Sequence, residues 1–309
     1  MKKIKVLLLF SGGLDSILAA KILQEQKIKL LGINFKSCFF NDDVAKDIAR
    51  KINLPLIKTD FSEEQMRLVK KPKYGYGKNI NPCIDCRILM LKKAKEIMEK
   101  KGFDFVATGE VLEQRPMTQN KRIMKLVEEK SGLKKLILRP LSAKLLEPTI
   151  PEEKGWVKGE KLLGISGRSR KKQIELAKKY KIKSYPAPAG GCLLTDREFS
   201  ERLRKLTEVY SQYQENDIDL LKLGRHFLIN KTKIIVGRNK KENQKIKKVA
   251  QSGDILIEMK DFVGPLTLVR KYGKRKISNK ALQKAKSLTQ YYSPRTRGKK
   301  EIQFILNQV

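Results

Sequence analysis

Residues 4–16 read IKVLLLFSGGLDS, a continuous apolar run that ends in two glycines, an acid and a hydroxyl. Similar apolar runs alternate with helical patterns up to residue 110, and this alternation is typical of parallel strands covered on both faces. The predicted strands are residues 4–10, 30–35, 54–59 and 103–108. The pattern predicts a doubly wound α/β domain, a fold that binds ligands at the carboxyl ends of its strands.

The charge of the chain is strongly unbalanced. It has 309 residues, with 69 Lys and Arg against 33 Asp and Glu, for a formal net charge of +36. A surplus of this size attracts a polyanion, and nucleic acid is the usual partner. Apolar runs are too short to cross a membrane, and the N-terminal one is too short for a signal peptide. We therefore expect a cytoplasmic, nucleic-acid-binding protein with no membrane contact.

Shifts in composition and stretches rich in proline and glycine divide the chain into three parts. Residues 1–200 form the predicted catalytic domain, of which residues 111–200 are less regular and rich in loops. Residues 201–221 are predicted to be a connecting helix or linker. Residues 222–309 hold 23 Lys and Arg and 5 Asp and Glu, a difference of +18. This last part predicts a small, basic α+β domain.

The loop SGGLDS has the chemistry of a phosphate site. Paired glycines after a buried strand let the backbone turn sharply, and the helix that begins near Leu14 adds the positive end of its dipole. The hydroxyls of Ser11 and Ser16 can donate to phosphate oxygens, whereas Asp15 suits a bridging Mg²⁺. Neither the lysine-containing nucleotide P-loop nor the dinucleotide motif is present. The alternative is an ordinary strand–helix turn capped by serine.

Three of the four cysteines stand in motifs. Cys83 and Cys86 form a CxxC pair at the head of a predicted helix, and Cys192 lies in a glycine-rich loop. Such thiols can ligate zinc or an iron–sulfur cluster or act as a redox pair, and a helix N-terminus is expected to lower their pKa values. Cys38 is interpreted as a small buried hydrophobe, with a fourth metal ligand as the alternative. The single histidine, His226, lies in the distant basic part.

SGGLDS after a first strand resembles the PP-loop of the ATP pyrophosphatase superfamily, whose pattern is SGGxDS and whose fold is the adenine nucleotide alpha hydrolase type. The resemblance implies that ATP is cleaved between its α and β phosphates and that a carbonyl oxygen is adenylated. Asp15 is implied to be catalytic. The implied ATP-site residues are Ser11, Gly12, Gly13, Leu14, Asp15, Ser16, Asn34, Phe35 and Gly109.

The order of motifs, PP-loop, NPCxxC, ATGE and a late cysteine, resembles the tRNA thiouridine synthetases. This implies a tRNA sulfurtransferase in which Cys83, Cys86 and Cys192 are catalytic and bind a [4Fe–4S] cluster with an open iron. The alternatives are a persulfide on Cys192 resolved by Cys86, or a structural Zn²⁺. The sulfur donor is expected to be sulfide or a persulfide carrier. Glu110 departs from the family pattern, since many relatives have histidine there.

The C-terminal part is similar to the RNA-binding domain of the NFACT ribosome quality-control proteins, through HFLINKTKIIVGRNKKEN and DILIEMKDFVGPLTLVR. The resemblance implies tRNA recognition through shape and phosphate contacts. The candidate phosphate contacts are Arg225, Arg238, Lys240, Lys241 and Arg270. Two basic polar stretches, residues 113–122 and 165–172, are predicted either to meet RNA or to be surface loops.

Two other function classes remain open at this point. One is a non-catalytic RNA-binding protein with a degenerate ATP site. The other is an ATP-dependent ligase that forms an amide-like bond on RNA, a chemistry that has no use for NPCIDC. The sequence leaves open the modified uridine, the choice between 2-thiouridine and 4-thiouridine, and the oligomeric state.

Overall fold

The computed structural model describes residues 3–40, 43–187, 191–273, 276–296, 299 and 301–309. The chain folds into two compact units, Met1–Thr195 and Asp196–Val309. The first unit contains a five-stranded parallel sheet in the order β3-β2-β1-β4-β5. Its strands are β1 (Lys5–Leu9), β2 (Lys29–Lys36), β3 (Leu56–Asp60), β4 (Phe105–Thr108) and β5 (Ile137–Leu138).

Helices cover both faces of this sheet. In chain order they are α1 (Leu14–Gln24), α2 (Asp43–Lys51), α3 (Ser62–Lys70), α4 (Cys83–Lys101), α5 (Lys121–Ser131), α6 (Ile150–Glu153) and α7 (Lys171–Lys179). Val6 and Leu8 pack into the cluster that contains α1 and α2, whereas Leu7 and Leu9 pack into the cluster that contains α4 and α5. Because both faces are buried, β1 is apolar at every position, and the predicted doubly wound fold is confirmed.

The second unit is a five-stranded antiparallel sheet in the order β10-β8-β9-β7-β6. Its strands are β6 (Arg225–Ile229), β7 (Thr232–Val236), β8 (Ile255–Met259), β9 (Thr267–Lys271) and β10 (Phe304–Gln308). Its helices are α8 (Arg197–Val209), α9 (Glu215–Leu221), α10 (Lys240–Val249) and α11 (Asn279–Tyr291). The prediction of a small α+β module is confirmed, and α8 and α9, which span the predicted linker, belong to this unit.

Within the second unit the two sheet faces pack on different helices. Ile235 and Leu268 join a buried cluster with Leu220 and Ile246, from α9 and α10. The opposite face packs against α11. In neither unit do the described residues contain a helix with the length and apolar character needed to cross a bilayer.

Candidate active site

Two glycines bring the SGGLDS loop against its neighbours. Gly12 has φ +75°, a conformation that favours glycine, and a Cβ on it would lie 2.9 Å from Cα of Ala45. A Cβ on Gly109 would lie 2.6 Å from the backbone nitrogen of Ser16. The end of β4 therefore packs directly on the first turn of α1. This contact places the ATGE segment beside the SGGLDS loop.

The backbone at the start of α1 is suited to an anion. Gly13 is the N-cap residue, and no side chain caps the helix there. Ser16 Oγ donates to the carbonyl oxygen of Gly13 (2.8 Å), and Ser11 Oγ accepts from the amide of Gly13 (3.3 Å). Since the first-turn N–H groups of a helix have no intrahelical acceptors, a phosphate can accept from them.

Asp15 has one oxygen in use and one free. Its Oδ2 accepts from Gln114 Nε2 (2.8 Å), whose Oε1 in turn accepts from Gln173 Nε2 (3.1 Å). Its Oδ1 is buried and has no hydrogen-bond partner among the described residues. A buried carboxylate oxygen left unpaired is costly, so this atom suits a bound cation. The donor chemistry of Asp15 fits Mg²⁺.

Asn34 and Phe35 stand near the end of β2, next to β1. Asn34 Nδ2 donates to the carbonyl oxygen of Phe10 (2.8 Å), while its buried Oδ1 has no partner in the described part of the chain. Phe35 is buried and packs edge-on against Phe61, with ring centroids 5.4 Å apart. Asn34 therefore presents a free acceptor at the sheet edge, whereas the ring of Phe35 belongs to the core.

Glu110 fastens the end of β4 to its surroundings. It is 3% exposed, and its carboxylate pairs with Arg87 Nε and Arg139 Nε, both at 3.1 Å. Burial acts to raise the pKa of Glu110, but the two guanidinium groups outweigh it and hold the pKa below its ordinary value. Glu110, at a position where many thiouridine synthetases have histidine, is thus ionised and links α4 to the segment that follows β5.

Cys83 and Cys86 occupy the first turn of α4. Asn81 Nδ2 donates to Cys83 Sγ (3.1 Å), and Gln65 Nε2 donates to Cys86 Sγ (3.4 Å). Asp85, between them, is buried and accepts from the backbone amides of residues 73 and 74. Asp85 therefore shapes the loop that precedes the cysteines.

Two hydrogen bonds tie the loop of Cys192 to the same region. The amide of Leu193 donates to the carbonyl oxygen of Phe39 (2.8 Å), and Asn79 Nδ2 donates to that of Thr195 (2.7 Å). Phe39 follows β2, and Asn79 lies just before α4. The structure therefore brings Cys192 to the half-buried Cys83 and Cys86, which are far from it in sequence.

Burial dominates the acidity of two of these thiols. It raises the pKa of Cys86 to about 12, with the neighbouring Cys192 adding to the effect and Arg87 opposing it. Burial also raises the pKa of Cys192 to about 11, opposed by Arg115. The expectation that the helix N-terminus would lower the thiol pKa is wrong for Cys86, because the lost hydration of a thiolate outweighs the helix dipole.

The cysteines do not form a ligand set in this arrangement. In the described part of the chain, which includes all four cysteines, no three Cys, His, Asp or Glu side chains are grouped to hold one metal ion. The structure therefore does not show a site for a cluster or a zinc ion at these thiols. Cys38 is buried, with its amide donating to Ser62 Oγ (3.0 Å), in agreement with its interpretation as a small buried side chain.

One loop, residues 113–119, lies between the two parts of the site. Gln114 holds Asp15 at one end, and Arg115 lies close enough to Cys192 to affect its pKa. Met117 Sδ lies 3.8 Å from Asn81 Nδ2, the donor to Cys83. From the sequence, this stretch is predicted to close over the target uridine, to touch tRNA or to be a surface loop, and a contact of Gln114 with Asp15 and Gln173 is not predicted. The signal available was the position of these polar residues directly after a predicted strand end.

The candidate phosphate contacts of the second unit differ in their availability. Lys240 and Lys241 are exposed in the first turn of α10, where a cation gains nothing from the helix dipole. Arg238 is 45% exposed in its side chain and pairs with Glu242. Arg225 stacks on the ring of Tyr292, 4.4 Å from its centroid.

Arg270 is committed inside the second unit. It is 2% exposed, and its Nη2 and Nη1 pair with Asp254 (2.6 Å) and Asp217 (2.9 Å). Asn216 Oδ1 and the carbonyl oxygen of Val249 accept its remaining hydrogen bonds. With every nitrogen used, this guanidinium is a structural group, and we leave it out of the proposed phosphate contacts.

Two family models match the chain, one in each unit. Residues 4–153 match the tRNA methyl transferase HUP domain, and residues 224–308 match the NFACT protein RNA binding domain. The predicted PP-loop type of the first unit and the resemblance of the second unit to the NFACT RNA-binding domain are confirmed by these matches. The first model includes SGGLDS, NPCIDC and ATGE, whereas Cys192 lies beyond it.

Two curated relatives share a name. The chain is 35% identical over 135 residues to the tRNA-specific 2-thiouridylase MnmA of Petrotoga mobilis, which covers 36% of each protein. It is 27% identical over 237 residues to that of Caldicellulosiruptor saccharolyticus, covering 68% of this chain and 61% of the relative. The chain thus spans about a third of the first of these relatives and less than two thirds of the second.

Among solved structures, a 4-thiouridine synthetase–RNA complex with bound ATP is similar with a TM-score of 0.42 and 22% identity. The similarity covers 71% of this chain and 52% of that one. It is too distant to carry an argument about function.

Proposed function

We propose that the chain is an ATP-dependent tRNA thiouridine synthase, a tRNA sulfurtransferase. One observation carries the proposal: a single loop, residues 113–119, contacts the PP-loop acid Asp15 through Gln114 and the partner of Cys83 through Met117, and the charge of its Arg115 acts on the pKa of Cys192. An ATP site and a thiol site are thereby neighbours in one unit. The match to the HUP domain model and the 2-thiouridylase names of the relatives support the same reading.

The first step uses the SGGLDS loop. The uracil carbonyl oxygen attacks the α-phosphorus of ATP, the bond to the β-phosphate breaks, and pyrophosphate leaves. The amides at the start of α1 and the hydroxyls of Ser11 and Ser16 bind the phosphates. Asp15 would hold Mg²⁺, which neutralises phosphate charge when it is bound. The product is an O-adenylated base, in which oxygen has become part of a good leaving group.

The second step uses the cysteines. A persulfide on Cys192 attacks the activated carbon through its outer sulfur, and AMP leaves with the former carbonyl oxygen. The thiolate of Cys86 then attacks Cys192 Sγ, which releases the thiouridine and leaves a Cys86–Cys192 disulfide. A thiol reductant restores both cysteines, and a persulfide donor recharges Cys192. Arg115, next to Cys192, supplies positive charge where these anions develop.

The [4Fe–4S] cluster predicted from the sequence is a separate question. Because the described residues contain no grouped set of three ligands, we derive no step through a cluster. Protein purified without oxygen decides between the routes. Brown protein with stoichiometric iron and acid-labile sulfide would favour the cluster, whereas colourless active protein would favour the persulfide.

The second unit would hold the tRNA. Its match to an RNA binding domain, the exposed Lys240, Lys241 and Arg238, and the half-buried Arg225 support phosphate contacts through these four cations. Such contacts set orientation and affinity rather than sequence choice. A cytoplasmic location stays a prediction.

The function is tested by mass spectrometry of tRNA nucleosides from a strain that lacks the gene. We expect one thiolated uridine to disappear and to return when the wild-type gene is restored. Restoration by an Asp15→Asn variant would instead support a non-catalytic RNA-binding protein. Unchanged thiouridine in the deletion strain would contradict the proposal.

A further inference from the structure

A groove of about 610 Å³ lies in the first unit on the outer side of the sheet. It is lined by α5, by β5, which is the edge strand, and by the chain between β5 and α6. Its volume falls within the range of about 300–1,000 Å³ that is usual for small-molecule sites. Neither the SGGLDS loop nor the cysteines contribute to its lining.

The groove is lined partly by apolar side chains and partly by exposed lysines. Leu145, which is exposed, and Leu146 contribute apolar surface, Met124 and Ile137 are buried in the lining, and Lys121, Lys125 and Lys144 are exposed cations around it. Two of the three acids of the lining have other partners. Glu128 pairs with Arg139 and Glu152 caps α6 through Thr149, whereas Glu147 is exposed.

Arg139 provides an independent sign of a ligand. It is 3% exposed, lines the groove, and uses Nε and Nη1 for Glu110 and Glu128. Its Nη2 is buried and finds no hydrogen-bond acceptor among the described residues. A buried N–H of a charged group without an acceptor is costly, and a bound anion relieves that cost. The first turn of α5 carries no acid that would repel one.

We propose that this groove binds a nucleotide, with the phosphate on the lysines and the base on the apolar lining. An apolar surface rimmed by cations matches the two halves of a nucleotide better than it matches inorganic phosphate. The phosphate can belong to an RNA chain or to a free nucleotide. The proposal is independent of the proposed function, which places ATP at SGGLDS, at the carboxyl end of β1.

The test is lysine footprinting of the full wild-type chain. A limiting amine acetylating reagent is applied alone, with an unmodified tRNA transcript, or with AMP, and acetylation is read by peptide mass spectrometry. Lys121, Lys125 and Lys144 are compared with the exposed Lys51, Lys100 and Lys179 of the same unit, which lie outside the groove lining. We expect several-fold slower acetylation of the groove lysines and no change at the control lysines.

The samples with tRNA and with AMP distinguish the two possible sources of the phosphate. Protection by tRNA alone assigns an RNA phosphate, protection by AMP alone assigns a free nucleotide, and protection by both assigns a site that accepts either. If neither ligand slows the groove lysines relative to the controls, the proposal is overturned. The readout is independent of thiolation, so its failure is distinguishable from failure of the proposed function.

A triple variant measures how much the three groove lysines contribute to the affinity for the protecting ligand. For K121A/K125A/K144A we expect weaker binding of the protecting ligand than for the matched control K51A/K100A/K179A. If RNA is that ligand, the slope of log affinity against log salt should also become shallower by about 0.7 to 0.9, the contribution of one neutralised phosphate. Equal affinities of the two triple variants would contradict the proposal. Arg139 is left intact, because its loss would unpair Glu110 and Glu128.

Discussion

Asp15 in the first unit and Arg270 in the second are both charged groups with buried atoms, and they are satisfied to different degrees. Arg270 has protein acceptors for all three nitrogens, whereas Asp15 accepts one hydrogen bond on Oδ2 and has none on a buried Oδ1. A buried charge whose partners are all protein atoms stabilises the fold. A buried charged group with an atom that no protein group contacts is suited to bind a ligand.

The largest expected effect is that of Asp15→Asn. The amide keeps the shape but loses the charge that would hold a cation, so we expect kcat for thiolation to fall by about 100- to 1,000-fold. The thermal unfolding temperature should stay near that of the wild type, because Oδ1 has no protein partner to lose. Asp47→Asn, at an exposed site, is the control. Unchanged kcat in Asp15→Asn would show that the reaction does not depend on a cation held by Asp15.

Arg270→Met should behave in the opposite way. Leaving Asp217 and Asp254 buried without their cation should lower the free energy of unfolding of the second unit by about 3–5 kcal/mol. Urea unfolding measures this, and tRNA affinity is measured at low temperature where the variant is folded.

The matched control is Arg238→Met, which breaks an exposed ion pair worth up to about 1 kcal/mol. It should leave the second unit stable and weaken tRNA binding. If Arg270→Met instead kept its stability and lost tRNA affinity, Arg270 would be a phosphate contact after all.

Lys233 extends the comparison to a buried charge that pairs with no acid among the described residues. It is 3% exposed, and burial lowers its pKa to about 8, with Arg202 and Lys205 adding to the effect. Its neighbour His226 is neutral, because burial lowers that pKa to about 2. Lys233→Met should therefore raise the free energy of unfolding at pH 7, by about 2–3 kcal/mol from the pKa difference.

The pH dependence has a definite sign. The folded state disfavours the charged lysine, so wild-type stability should rise as pH increases from about 8 towards the ordinary pKa of 10.5. Chemical unfolding across this range should show the rise in the wild type and in the exposed-site control Lys231→Met. A rise that persists in Lys233→Met would assign it to another group.

The smallest expected effects are those of Gln114→Leu and, below it, Gln173→Leu. Asp15 would lose the donor to Oδ2, and small displacements of a catalytic group lower rates, here by about tenfold in kcat. The KM for tRNA should not change if Gln114 acts only by positioning Asp15. Gln173→Leu, one hydrogen bond further away, should have a weaker effect of the same kind. A change confined to KM would indicate that Gln114 contacts the tRNA.

The sequence predicted the parallel sheet because burial on both faces makes β1 apolar at consecutive positions, a pattern that needs no knowledge of its neighbours. It predicted the ATP loop and the CxxC pair because their residues are adjacent in the chain. It did not predict that Gln114 donates to Asp15 or that Gln173 donates to Gln114, since those contacts span 99 and 59 residues and leave no local pattern.

Arg270 illustrates the same limit. In the strand PLTLVRKYG a lone arginine is typical of a solvent-facing position, and its acids lie 53 and 16 residues away. The acidity of Cys86 also depends on distant residues. Its place at a helix start favours a thiolate, but the surrounding fold buries it and raises its pKa.

The central claim, that ATP cleavage at SGGLDS serves sulfur transfer to tRNA, is tested most directly with purified protein, a tRNA transcript, ATP and a persulfide donor. We predict that AMP, pyrophosphate and thiouridine form in equal amounts and that omitting tRNA suppresses all three. Release of ADP and phosphate, or AMP without thiouridine in the presence of every substrate, would contradict the account.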